Sequence, residues 1–387
     1  VTRPAKDHLA DSTSSATESG YRETAALGAK ATAMPHRLEP RAGQVADTDH
    51  SESTTVSDAH RRPRGVVFWL VCLITLSLIA IASLRIFYHD GTHFLIWTNA
   101  FTRYVYLPAY ACLAWAVWRR RWLLALANVA VVCLHIGWVA PDFMRDRRFD
   151  SAVGDVAAAA HPAKTVRIFF ANVNGANTEY QSLLHEIQEA NPDVIMLAEF
   201  SSRWQMAFLH SPVIAAYPYG DGLQNARLDS VSVFSKLPLK SERHDWVAGR
   251  AIQTIKVPVD SETLRIIGLH SPRPTDNHRD NYDAFWNYTI PLLLSEQGPQ
   301  VVVGDCNATQ YSVVYQRLTA NRLRSAHEDR GRGYATSWPN GYYPLPPIRI
   351  DQAFLSPEVE CLSIREGEGR GSDHKPLILD VRIRPNH

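Results

Sequence analysis

The sequence predicts an α/β protein in which two packed sheets, flanked by helices, follow a membrane-spanning segment. Three observations predict this. Three apolar stretches succeed one another between residues 66 and 140. From Thr165 onward, short apolar runs alternate with amphipathic segments. In that second region strands dominate and helices are inserted between them, the pattern of two sheets packed face to face with helices outside.

Residues 1–63 are rich in Ser, Thr, Ala, Asp, Glu, His and Arg, and their sparse large apolar residues show no period. Such a segment buries too little surface to offset the entropy of ordering it, so a disordered cytoplasmic tail is expected. It has no short apolar run with a cleavage site near its start, so it does not read as a signal peptide.

Val66–Leu84 carries no charge and is long enough to cross a hydrocarbon core as a helix. Leu95–Trp118 holds Arg103 near its start and Pro108 inside, and is the weakest of the three spans. Trp122–Ala140 is again uncharged. Together they predict a three-helix transmembrane anchor over residues 64–141. Arg61, Arg62 and Arg64 precede the first span and Arg119, Arg120 and Arg121 separate the second from the third, whereas Arg85 is the one clear positive charge between the first two. The positive-inside rule then puts the start inside and everything after Ala140 outside. Arg145, Arg147 and Arg148 oppose this, although Asp142 and Asp146 sit among them. The expected location is the cell membrane, multi-pass, with an extracytoplasmic domain and the lipid bilayer as a partner. Residues 142–164 read as a linker, and residues 165–387 as one folded domain.

The formal net charge of +1 leaves no basic footprint for tight duplex binding, so nucleic acid enters only as a substrate. The five cysteines lie at 72, 112, 133, 306 and 361, an odd count without zinc-ligand spacing. A Cys306–Cys361 bridge depends on whether the fold brings the two together.

Expected strands are Val166–Ala171, Asp193–Ala198, Ser230–Ser235, Ala251–Val257, Leu264–His270, Gln300–Gly304, Ile350–Leu355 and Leu377–Ile383. Expected helices are Tyr180–Ala190, where Leu183, Leu184 and Ile187 share a face, Arg279–Ser295 and Ser312–Ala320. Several strands end in residues suited to metal or phosphate chemistry. FFANVNG places Asn172 and Asn174 just past the first strand, and Glu199 closes the apolar run DVIMLAEF. A carboxylate there is badly desolvated unless a cation or donor accompanies it. IIGLHSPRP ends in His270, VVVGDCNAT carries Asp305 and Asn307, RIDQAFLS supplies Asp351, and GSDHKPLILDV supplies Asp373 and His374. Each alone is as easily a turn former or a helix cap.

In combination and order, these residues resemble the endonuclease/exonuclease/phosphatase superfamily over about residues 165–383, most strongly in GDCN (Gly304–Asn307) and SDHKP (Ser372–Pro376). The resemblance implies a four-layer α/β sandwich with the site where strand ends of the two sheets converge. It implies metal-dependent phosphoester hydrolysis, with Mg²⁺ as the expected cation and Mn²⁺ as the alternative. Asn172, Glu199 and Asp373 are the expected metal residues, and Asn174 and Arg273 the expected substrate contacts. His270, Asp305, Asn307, Asp351 and His374 are the expected catalytic set, with Asp351 orienting His374. The first motif departs from the nuclease pattern, with Asn172-Val173-Asn174 where Asn-x-Asp is common. Arg227 and Arg250 are lesser candidates for phosphate contact, and Arg279, with Arg273, is expected to line the cleft. Ser337–Pro344 reads either as an aromatic lip meeting a lipid or base, or as a Pro-stiffened loop packing its own rings.

Three anchors are little use to a nuclease, whereas an enzyme of lipid phosphates gains local concentration from them. The layout is similar to bacterial membrane proteins of the teicoplanin- and vancomycin-resistance type. That similarity implies an outward-facing phosphatase acting on undecaprenyl pyrophosphate or another lipid-linked phosphate. An extracytoplasmic nuclease and a catalytically silent tethered module are the competing readings.

Overall fold

In the computed structural model, residues 65–146, 164–221, 229–274, 279–341 and 344–384 are described. The N-terminal tail with Arg61, Arg62 and Arg64, most of the expected linker, Arg227, and Tyr342 and Tyr343 of the expected lip lie outside them.

The first apolar stretch forms one helix, α1 (Val66–Tyr88), of 23 residues. At 1.5 Å per residue it is about 34 Å long, enough for a hydrocarbon core of about 30 Å. The second stretch departs from expectation. It is broken into α2 (His93–Ala100), α3 (Thr102–Val105) and α4 (Pro108–Trp118). Pro108 has no N–H and its ring would clash with the carbonyl four residues back, so it is best placed at the start of a helix, and it stands in the first turn of α4. With 11 residues, α4 reaches about 16 Å, too short to cross alone. The third stretch forms α5 (Trp122–Val139), prolonged by a 3₁₀ turn to Phe143. Among the described residues, two helices, Val66–Tyr88 and Trp122–Phe143, are therefore long and apolar enough to cross a membrane, rather than the three expected. Their outward faces carry large apolar residues, among them Leu70, Leu73, Leu123 and Leu126.

Arg85 is also corrected. It lies in the last turn of α1, buried, with its guanidinium bonded to Asn99 and Thr102 and 4.6 Å from the Trp138 ring centroid. It is an internal tie among the helices, not a loop charge.

The described residues from 164 onward build two six-stranded sheets. The strands, in chain order, are β1 (Thr165–Asn172), β2 (Val194–Ala198), β3 (Tyr219–Asp221), β4 (Val231–Ser235), β5 (Lys240–Val247) and β6 (Arg250–Val259). They continue as β7 (Glu262–His270), β8 (Gln300–Asp305), β9 (Arg324–Ser325), β10 (Asp351–Leu355), β11 (Val359–Glu366) and β12 (Leu377–Ile383). One sheet has the order β11-β12-β1-β2-β4-β3, the other β5-β6-β7-β8-β10-β9. Each holds one parallel pair, β1 with β2 and β7 with β8, amid antiparallel neighbours. The helices of this region are α6 (Tyr180–Ala190), α7 (Ser202–Leu209), α8 (Arg279–Ser295), α9 (Val313–Thr319) and α10 (Ala326–Asp329).

The alternation of side chains along each strand explains the layering. In β1, Val166, Ile168 and Phe170 enter the core between the sheets, while Phe169 and Ala171 face α6 and α7. In β8, Val301 and Val303 face inward and Val302 faces α8 and α9. The order is thus helices, sheet, sheet, helices.

Among the strands absent from the sequence reading, β5 is mostly exposed and highly charged, and β11 carries a bulge between Cys361 and Ser363; neither has the continuous apolar run that marks the expected strands. Cys306 and Cys361 are both free and buried, each with its Sγ 3.7 Å from a backbone carbonyl, so they do not pair.

The expected linker also starts later than residue 142. Asp142 is buried and accepts hydrogen bonds from Arg103 (2.7 Å), Gln310 and Tyr311, tying the helical segment to the sandwich.

Candidate active site

The site forms where ends of both sheets meet. Asp305, the last residue of β8, is in register with His270 at the end of β7 and with Asp351 at the start of β10. Directly opposed residues on neighbouring strands project to the same face, so pairing alone aligns these three. On the other sheet, Asn172 ends β1 beside Ala198, and Glu199 is the next residue. Asn172 spans the seam: its Nδ2 donates to Glu199 Oε1 at 3.0 Å and to Asp305 Oδ2 at 3.1 Å.

Asp305 Oδ2 is the hub, 3.7 Å from His270 Nε2 and 3.8 Å from His374 Nε2. His374 Nδ1 lies 2.8 Å from Asp351 Oδ2, which leaves Nε2 to face the cleft. Burial pushes the Asp305 carboxyl up, partly opposed by the charge of His374. Burial alone would lower His374, but the charges of Asp351 and Asp305 and the bond to Asp351 outweigh it and hold the imidazole up at about 10. His270 follows its burial instead and is lowered to about 4, hence neutral. Two imidazoles on one carboxylate thus carry opposite tendencies, because only His374 has a carboxylate bonded to its far nitrogen.

Three carboxylates, those of Glu199, Asp305 and Asp351, therefore share this corner. Among the described residues, the only Lys or Arg nitrogen within 4.0 Å of them is Arg273 Nη2, at 4.0 Å from Glu199 and on a side chain 60% exposed. Gathered hard oxygen donors, offset only by the His374 imidazole and this exposed guanidinium, suit a divalent cation. As placed, Asn172 presents its amide nitrogen to the carboxylates; a half-turn of that amide exchanges nitrogen for oxygen. The ligand atoms of Asp305, Asp351 and His374 also lie within 4.8 Å of one another. In that trio, however, His374 Nδ1 is taken up by Asp351.

The other expected residues are held by partners of their own. Asp373 is not brought into contact with Glu199: its Oδ1 accepts from Asn174 Nδ2 (3.0 Å) and its Oδ2 from Trp338 Nε1 (3.1 Å). Asn174 thus meets Asp373. Asn307 donates from Nδ2 to the Ser271 carbonyl, and its backbone N–H donates to Asp305 Oδ1. Glu199, Asn174 and Asn307 all have positive φ, at 54°, 53° and 44°. Backbone strain of this kind is held only where the surroundings over-determine it, as at sites. Arg250 pairs with Asp229 and Arg279 with Asp283.

Some supporting residues escaped the sequence reading. Ser372 Oγ donates to the Asn172 carbonyl (2.7 Å) and accepts from the His374 N–H (3.1 Å), clamping the last motif to the first. Ser337 Oγ accepts from the N–H of Asp351. Both lie inside stretches singled out in the sequence, Ser372 in SDHKP and Ser337 at the start of Ser337–Pro344, but a serine carries no periodic signal that shows what its hydroxyl holds. Trp338, within the expected aromatic lip, lines a cavity of about 190 Å³ beside His374 and Asp373.

A fold with this seam of acidic, amide and imidazole groups defines a phosphoesterase-like class, and the sequence comparison agrees. Residues 170–374, more than half the chain, match the Endonuclease/Exonuclease/phosphatase family. The chain belongs to that family and is a metal-dependent phosphoric ester hydrolase. No curated protein matches it by sequence. Among solved structures, truncated TDP2 of Caenorhabditis elegans is 16% identical, covering 56% of this chain and 98% of its own, with a TM-score of 0.45. An endonuclease/exonuclease/phosphatase family protein from Bacteroides thetaiotaomicron is 14% identical (57% and 98% covered, TM-score 0.42). The human Nocturnin catalytic domain with bound sulfate is 17% identical (57% and 94% covered, TM-score 0.41).

Proposed function

We propose that this chain is a membrane-anchored, Mg²⁺-dependent phosphoesterase that hydrolyses phosphate esters or anhydrides outside the cytoplasm, with lipid-linked pyrophosphates of the polyprenyl type as its substrates. The observation that carries this reading is the convergence of Glu199, Asp305 and His374 from three separate parts of the chain, with Asp351 bonded behind His374.

In this reading Glu199 and the amide oxygen of Asn172 hold the cation, which supplies charge relief on the non-bridging phosphate oxygens. Asp305, central among the polar groups, aligns the attacking water and takes its proton as the new O–P bond forms and the bond to the leaving oxygen breaks. His374, oriented by Asp351, donates from Nε2 to a phosphate oxygen. His270, neutral and buried, donates in the same cleft. Asn307 and Arg273 flank the phosphate, while Asn174 and Asp373 brace the loop that carries His374.

Helix placement supports the anchoring and its direction. The Arg121 guanidinium lies 5.4 Å from the Phe68 ring centroid, so the Arg119–Arg121 turn and the start of α1 share one end of the helical bundle. The contacts to the sandwich, through Asp90, Arg103 and Asp142, come from the other ends of these helices. Arginines at the far end favour the cytoplasm for that end and the outside for the domain, with α3 and α4 together (residues 102–118) returning the chain from the domain end to the arginine end.

The test is hydrolysis of bis-p-nitrophenyl phosphate and release of phosphate from polyprenyl pyrophosphate by the purified full chain in detergent, with and without Mg²⁺. Activity is expected only with the cation, and lost in Glu199→Ala and His374→Ala. Undiminished turnover in both variants would overturn the assignment, and preferential cleavage of plasmid DNA would favour a nuclease.

A further inference from the structure

The cavity beside His374 has a wall that the sandwich does not supply. Ile96, Trp97 and Ala100 of α2 form one side of it, Ile348 stands among its apolar residues, and His374 and Asn307 contribute polar groups. α2 belongs to the stretch expected to span the membrane, yet it is bound to the sandwich instead. Thr92 caps its start, accepting from Leu95 N–H. Around it, Asp90 accepts from the Val313 N–H (2.7 Å), His93 Nδ1 lies 3.2 Å from the Pro274 carbonyl, and Tyr104 donates to the Pro347 carbonyl (2.7 Å). These ties before, at and after the helix hold it as a fixed wall.

We infer that this cavity receives the hydrocarbon chain of an amphiphilic phosphate substrate, with α2 as the specificity-determining wall. The inference rests on the phosphoesterase reading of the adjoining site and adds what lies beyond the phosphate. The cavity's volume of about 190 Å³ accommodates about six groups the size of water or methylene, at roughly 30 Å³ each. That is the first stretch of an alkyl or prenyl chain. Trp97 lies in this lining and is also 42% exposed, so the cavity reaches the surface along α2. There Phe94, and Phe87 and Tyr88 from the end of α1, are exposed as well. A longer chain would leave over these residues toward the outward apolar faces of α1 and α5. A nucleic-acid strand needs a cationic track or stacking platforms spaced along it; to this cavity α2 brings Ile96, Trp97 and Ala100 and no Lys or Arg, and Arg273 is the one Lys or Arg in the lining.

The test compares the full chain in detergent with methyl, butyl, octyl and farnesyl phosphates and pyrophosphates as probes. kcat/KM is expected to rise about fourfold per added methylene until the cavity is filled, then level off. Ala100→Trp, which fills the cavity, and Ile96→Ser, which makes its wall polar, are expected to flatten that rise; thermal melts establish that each variant is folded. A second measurement does not depend on turnover. A farnesyl-length phosphate carrying a diazirine near its first carbons is photolysed with the protein, and label is expected on the peptide covering residues 93–100. Hydrolysis of the methyl ester with no dependence on chain length, or label confined to other peptides, would overturn the α2 assignment alone. No hydrolysis of any phosphoester would overturn the catalytic reading, while the labelling would still decide whether α2 meets the chain.

Discussion

Asp351 Oδ2 sits 2.8 Å from His374 Nδ1, both side chains buried at the junction of the two sheets. The bond fixes which imidazole nitrogen faces Asp305 and which charge state the ring favours.

Asp351→Asn keeps the shape but removes the charge that orients His374. A fall in kcat on the order of 10²-fold, with KM little changed, is expected. Steady-state kinetics on bis-p-nitrophenyl phosphate check it, and a kcat within twofold of the parent would refute the orienting role.

Glu199→Gln removes the carboxylate nearest Asn172 and Arg273. Addition of Mg²⁺ is expected to raise the melting temperature of the parent protein and to leave that of the variant unchanged. Equal shifts in both would show that the cation is held elsewhere.

Gly304→Ala addresses the GDCN motif as architecture. A Cβ at this position would lie 2.1 Å from the Leu269 carbonyl oxygen, against the paired strand β7. The strands must separate to admit it, a cost of at least about 2 kcal/mol in stability. Denaturant unfolding measures this, and a parent-like midpoint would contradict the close approach of the two strands.

Glu242 gives a pH dependence of stability. It lies at the β5 bulge and pairs with Arg265 (2.7 Å) and Lys256 (2.5 Å). The hydrogen bond from Arg265 first, and Lys256 after it, lower its pKa from 4.5 to about 2. A depressed folded-state carboxylate stabilises fully above its unfolded pKa and loses that contribution as pH falls through the folded one. Glu242→Gln is therefore expected to be less stable than the parent at pH 7. The gap should shrink between about pH 4.5 and pH 2, as read from melts across that range. A gap independent of pH would exclude the charge as its source.

Much of this protein is legible without coordinates. The continuous apolar runs of β1 and β8 announce strands covered on both faces, and polar residues at the ends of such runs mark the site: Asn172, His270 and Asp305 close strands, Glu199 follows one, Asp351 opens β10 and His374 lies just ahead of β12. These signals are local, because period and motif depend on neighbours within a few residues. Other features depend on which surfaces meet. Asp373 looks like a ligand in sequence, but Asn174 and Trp338 take its two oxygens. Leu95–Trp118 looks like a span, but Pro108 breaks it and the sandwich captures its first part as α2. An apolar side chain is satisfied equally by lipid or by a protein cavity, so composition cannot choose between them; only the tertiary fold, by placing His374 and Ile348 opposite Ile96 and Trp97, made that choice.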